Sequence, residues 1–96
     1  MFISIVEGGA ATLEDIDNFR AFKVVCHIAR DRSAEALARL GRLDADHLWI
    51  AGDWIRRNGR AEDSEWLAGF EKMTAFAQAS GWVDESGAIR AHIDYP

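Results

Sequence analysis

The chain predicts an α+β domain in which a small mixed sheet, ending in a C-terminal β-hairpin, is covered on one face by helices. Three observations carry this expectation. In Ser64–Ser80, Trp66, Phe70, Met73 and Ala77 recur at helical spacing, flanked by Leu67 and Phe76, while Glu65, Glu71, Lys72 and Gln78 fall outside the stripe. Gly81 stands where a left-handed residue would stop that helix, after which Trp82-Val83, Asp84 to Gly87 and Ala88 to Tyr95 read as strand, turn and strand. Phe2–Val6 is short and rich in β-branched residues, and it ends at Glu7-Gly8-Gly9, as a strand would.

The elements follow in chain order. After the first strand, Thr12 to Asp15 resembles a capping box, and Leu13, Ile16 and Phe19 supply one face of a short helix. In Phe22–Ile28, Phe22, Val24, Cys26 and Ile28 alternate with Lys23, Val25 and His27, a period of two that predicts a strand. The alternative joins Thr12 to Arg30 in one long buried helix and makes the protein a mostly α-helical bundle. Ser33 is placed to cap a helix over Ala34 to Leu40, with Gly41 as its stop. Leu48–Ala51 reads as a third strand or a helix start. Asp53 is a candidate cap for Trp54 to Asn58, which Gly59 ends. The polar stretch from Asn58 to Asp63 is too short to separate two domains, so residues 1–96 form one.

Composition bounds the function. Hydrophobic residues make up 49% and charged residues 28%, as in an ordinary soluble domain. A single cysteine, Cys26, permits no internal disulfide, and no secretory leader is evident, so the expected location is cytoplasmic. No apolar run approaches the roughly 20 residues that span a bilayer, which argues against a membrane partner. The net charge of −5 disfavours nucleic acid. Charge is unevenly spread, however. Arg30 to Arg60 holds seven arginines against Asp31, Glu35, Asp44, Asp46 and Asp53, a basic middle that suits a contact with acidic ends in the same chain or in a second copy. The arginine and alanine usage points to a GC-rich bacterium.

Motifs for chemistry are sparse. Gly8-Gly9 lacks the spaced glycines of a dinucleotide fingerprint and the Lys or Ser/Thr of a phosphate loop. Cys26, His27, His47 and His92 have no metal-site spacing, and no metal or cofactor is expected. Cys26 lies in phase with Phe22, Val24 and Ile28, as a buried inert thiol does. The C-terminal strand is more informative. Alternation puts Ile89, Ala91, Ile93 and Tyr95 on one face and Arg90, His92 and Asp94 on the other, where Arg90 and His92 are suited to a small acidic ligand. Trp49 and Trp54, near Arg56 and Arg57, are candidate interface anchors, because Trp and Arg dominate binding hot spots. Two function classes follow. One is a non-catalytic module that self-associates as a homodimer or binds a protein partner. The other is a small enzyme or ligand-binding protein whose pocket gathers Arg90, His92 and a tryptophan. A concave site joining those residues would favour the second, a flat exposed face the first.

Overall fold

A computed structural model describes residues 1–96. It has one mixed six-stranded sheet and three helices, the α+β class the sequence predicts. The strands are β1 (Phe2–Ile5), β2 (Ala11–Glu14), β3 (Lys23–Cys26), β4 (Gly41–Asp44), β5 (His47–Ala51) and β6 (Ala88–Asp94). The helices are α1 (Ala34–Leu40), α2 (Gly52–Asn58) and α3 (Ser64–Ala79). The order across the sheet is β2-β1-β3-β6-β5-β4, with β1, β3 and β6 parallel and the other neighbours antiparallel.

Only one face of this sheet is sealed. Ile3, Ile5, Val24, Cys26, Leu48, Ile50, Ile89, Ala91 and Ile93 are buried, and the register aligns them on a common side. Leu37, Ile55, Trp66 and Phe70 of the helices join them in one core. The opposite face carries the partners of the alternation: Ser4, Lys23, Val25, Arg90, His92, Asp94, His47 and Trp49, none of them buried. That open face is where a ligand can reach side chains held by central strands.

Residues 12 to 19 depart from expectation. Ala11–Glu14 is an edge strand antiparallel to β1, with no helix. Gly8 and Gly9, at φ 94° and 86°, turn the chain back tightly enough for Leu13 to pair with Ile3. Ladder pairing then satisfies the backbone that a capping box would have served. Asp15, at φ 51°, follows the end of the strand, and beyond it Ile16 and Phe19 meet Trp66. The strand expected over Phe22–Ile28 is present as Lys23–Cys26, with Val24, Cys26 and Ile28 buried.

Capping also differs in detail. Ser33 stands at the N-cap of α1 as expected, but its hydroxyl accepts from no helix amide and instead donates to the Arg30 carbonyl at 2.9 Å. Asp53 lies inside the first turn of α2 and pairs with Arg56 at 2.7 Å, leaving Ala51 at the cap. Asp63 caps α3, accepting from the amides of Glu65 and Trp66. β4 has no signal in the sequence pattern: Gly41 stops α1 and at once opens a hairpin with β5. A side chain at Gly41 would lie 2.1 Å from the Trp49 carbonyl oxygen, so only glycine fits.

The basic middle does reach the acidic ends within one chain. Arg32 pairs with Glu7, Arg42 with Asp84 and Arg60 with Asp17, at 2.8 to 3.1 Å. All three pairs are solvated, so each is worth under about 1 kcal/mol.

Candidate functional site

The C-terminal hairpin of the sequence survives as a turn and a single bridge. Val83 pairs with Ile89 alone, and the Arg90 amide donates to the Trp82 carbonyl at 2.8 Å. The strand after the turn instead becomes β6, a central strand between β3 and β5. At the end of α3 the Trp82 amide donates to Ala77 and the Gly81 amide to Gln78, with Gly81 at φ 80°, a Schellman stop. This stop sets Trp82 beside Arg90. From the other side, the backbone nitrogen of Met1 donates to the carbonyls of Asn18 and Ala21, at 2.6 and 2.8 Å, and fixes the approach to Phe22.

Asp84 holds the turn. The Ser86 hydroxyl and the Ala88 amide donate to its carboxylate, and with Arg42 and the Ser86 amide they hold it at about 2, below the ordinary 3.8, against a smaller opposing effect of desolvation. A depressed folded-state pKa gives stability that is complete above the unfolded value and disappears as pH falls through the folded one. The Ser86 and Ala88 amide resonances are therefore expected to move together between about pH 4 and pH 2, and Asp84→Asn should abolish that titration.

Phe22, His47, Trp82, Arg90 and His92 enclose a concavity of about 300 Å³ on the open face. Arg90 Nη2 lies 3.2 Å from His47 Nδ1. A guanidinium only donates, so in this contact His47 Nδ1 is the acceptor. The His47 and His92 rings meet edge to face at 5.5 Å, because their residues pair directly across β5 and β6. His92 Nε2 lies 3.2 Å from Asp94, whose other oxygen accepts from Lys23 at 3.0 Å. Lys23 first, then His92, keeps the Asp94 carboxyl below the usual carboxylate range. The remaining feature is Arg90 Nε, which is buried and has no hydrogen-bond partner.

The chemistry on offer is recognition by a planar cation between aromatic walls, with two imidazoles close by. None of the five lining residues carries a hydroxyl or thiol, so the two imidazoles are the reactive groups present. Cys26 is buried on the other face, its Sγ 3.6 Å from the Ile28 carbonyl. No three His, Cys, Asp or Glu side chains gather closely enough to hold a metal ion. No helix is long and apolar enough to cross a membrane.

No family model, curated protein or solved structure matches this chain.

The structure unites Arg90, His92 and a tryptophan, but the tryptophan is Trp82. Trp49 is the cross-strand neighbour of Arg90, yet it lies outside the concavity under Arg42, whose guanidinium sits 5.0 Å from its ring, with its indole nitrogen 3.2 Å from Asp44. Trp54 is half-buried against the core from α2. Arg56 lies over the Phe70 ring at 5.2 Å, and Arg57 is exposed in a polar depression with Arg60 and Glu62. Those three stand in the helical layer, on the far side of the sheet from Arg90. His47 and Phe22 are the site residues that sequence patterns miss. Alternation through Leu48 and Ile50 would have put His47 on the open face, but only the register shows that it meets His92.

Proposed function

We propose that this domain is a ligand-binding module whose partner presents a carboxylate or similar anion to Arg90, the class that a concave site joining Arg90, His92 and a tryptophan favours. The carrying observation is the guanidinium itself: buried at Nε, unpartnered there, and in no ion pair. This is unusual in a chain of net charge −5, where seven of the eleven Lys and Arg side chains are ion-paired. An unsatisfied buried donor costs about 1–3 kcal/mol, a burden that an anion bound edge-on would relieve. A cytoplasmic, bacterial setting belongs to this reading, supported by the lone cysteine and the arginine-rich composition.

Benzoate is a suitable probe. Its titration is expected to shift the Arg90 Nε–H and Trp82 indole resonances, benzyl alcohol should not, and Arg90→Met should abolish the response. Arg90→Met should also leave the unfolding midpoint unchanged or raised, since it removes an unsatisfied donor. Benzoate that moves neither resonance would refute the anion site.

Self-association is a second reading, favoured by β4. This strand is a sheet edge with Leu43 41% exposed. Two copies paired antiparallel about Leu43 would set Arg42 of one against Asp44 of the other, a self-complementary arrangement suited to a two-fold dimer. Light scattering is expected to give a dimer mass that Leu43→Lys halves. A monomer mass across a wide concentration range would remove this reading.

A further inference from the structure

We propose that the partner is a short acidic peptide segment with bulky apolar side chains, laid from the Arg90 pocket across the lip formed by Phe22 and Trp82 and along α3. The proposal rests on the reading of Arg90 as an anion site and extends it to a surface. Beyond the lip, a second concavity of about 100 Å³ shares Phe22, Trp82 and Arg90 with the first. It continues into a groove of about 460 Å³ against α3, with which it shares Phe19, Arg20, Met73 and Phe76. Phe76 is 67% exposed and Trp82 42%, and their rings meet at 6.1 Å, so the lip and the groove form one apolar strip. Gly69 lets the Phe19 wall of the groove close against α3: a β-carbon there would stand 2.5 Å from the Phe19 ring.

Charge selects the occupant. Four of the eleven Lys and Arg side chains have no carboxylate partner: Arg20, Arg57, Lys72 and Arg90. Three of them line the strip, Arg90 at one end and Arg20 and Lys72 toward the other. A purely apolar partner would leave them facing it. The helical stretch from Gly69 to Phe76 alone covers about 10 Å, so a single small carboxylate cannot satisfy both ends. An extended segment of six residues spans about 20 Å and can set acids at both ends with apolar anchors between them. Aromatic and aliphatic anchors in the strip would supply affinity, and the rim charges would supply orientation.

The test uses the full chain and capped hexapeptides with glutamate at both ends and phenylalanine, tryptophan or leucine between them. Binding should perturb Phe76, Trp82 and Arg90 resonances together, and it should weaken about tenfold or more in Arg20→Glu combined with Lys72→Glu, which are exposed changes that leave the fold intact. The same peptides with lysine for glutamate should not bind. If benzoate binds at Arg90 but no acidic peptide binds more tightly than benzoate, the anion site stands and the peptide groove falls. If the charge reversals leave peptide affinity unchanged, or if a second copy of the chain covers Phe76 and Trp82, the groove has been assigned the wrong occupant. Failure of both probes overturns both readings.

Discussion

Trp66→Ala is expected to remove about 3–5 kcal/mol of stability, much of what a domain of this size has. Trp66 is 3% exposed and stands where three parts of the chain meet. Its ring stacks on Phe70 at 5.4 Å, with the planes 3° apart, and meets Phe19 at 5.8 Å. Its indole N–H donates to the Ile16 carbonyl at 2.8 Å. Gly59, which ends α2, lies so close that a β-carbon there would be 2.3 Å from the indole. Truncation thus opens a cavity bounded by elements that are themselves held by the ring, and the site cannot collapse around alanine. Trp66→Phe separates the effects, because it keeps most of the packing and leaves the Ile16 carbonyl without its donor, at about 1–3 kcal/mol. Urea denaturation of the two variants measures both. A loss below about 1 kcal/mol for Trp66→Ala would mean that the residues around Ile16 are not anchored by α3.

That anchor also explains which parts of the fold were legible in the sequence. The helix over Ser64–Ala79 could be read because its stripe, its stop at Gly81 and its length all agree, and the structure buries Trp66, Phe70 and Ala77 as the stripe requires. Phe76 flanked the stripe and stands exposed, which is how it comes to line the groove. Lys23–Cys26 was legible because alternation at a half-buried surface leaves a period of two. Residues 12 to 15 were not. Thr12 and Asp15 have the side chains of a helix start, and the deciding factor, a two-glycine turn that delivers Leu13 to Ile3, is a long-range pairing that local propensity does not encode. The candidate site divides in the same way. Arg90 and His92 share a face by alternation within one strand, whereas their meeting with His47 depends on the β5–β6 register and their meeting with Trp82 on the helix stop. Trp49 and Trp54 look equivalent in sequence, and the structure puts them on opposite sides of the sheet.

Ile93→Ala is expected to cost about 2–4 kcal/mol while His92→Ala, one residue away, stays within about 0.5 kcal/mol. Ile93 is 3% exposed, pairs with Val24 across β3 and faces the helical layer. Its amide also donates to the Asp46 carbonyl at 2.8 Å, which alanine would retain, so the loss reports side-chain burial and the cavity left behind. The His92 side chain is 56% exposed and lies on the open face, where its bond to Asp94 is solvated and Lys23 still holds that carboxylate when the imidazole is gone. Denaturation midpoints for the two variants therefore test the face assignment on which every functional statement about Arg90 depends. Arg90 and His92 share a face because they are two residues apart in a strand, and Ile93 lies opposite them. Equal damage from His92→Ala and Ile93→Ala would mean that β6 presents its other side to the helices. The guanidinium would then be a core group, and the concavity beside Trp82 would have no cation to offer a ligand.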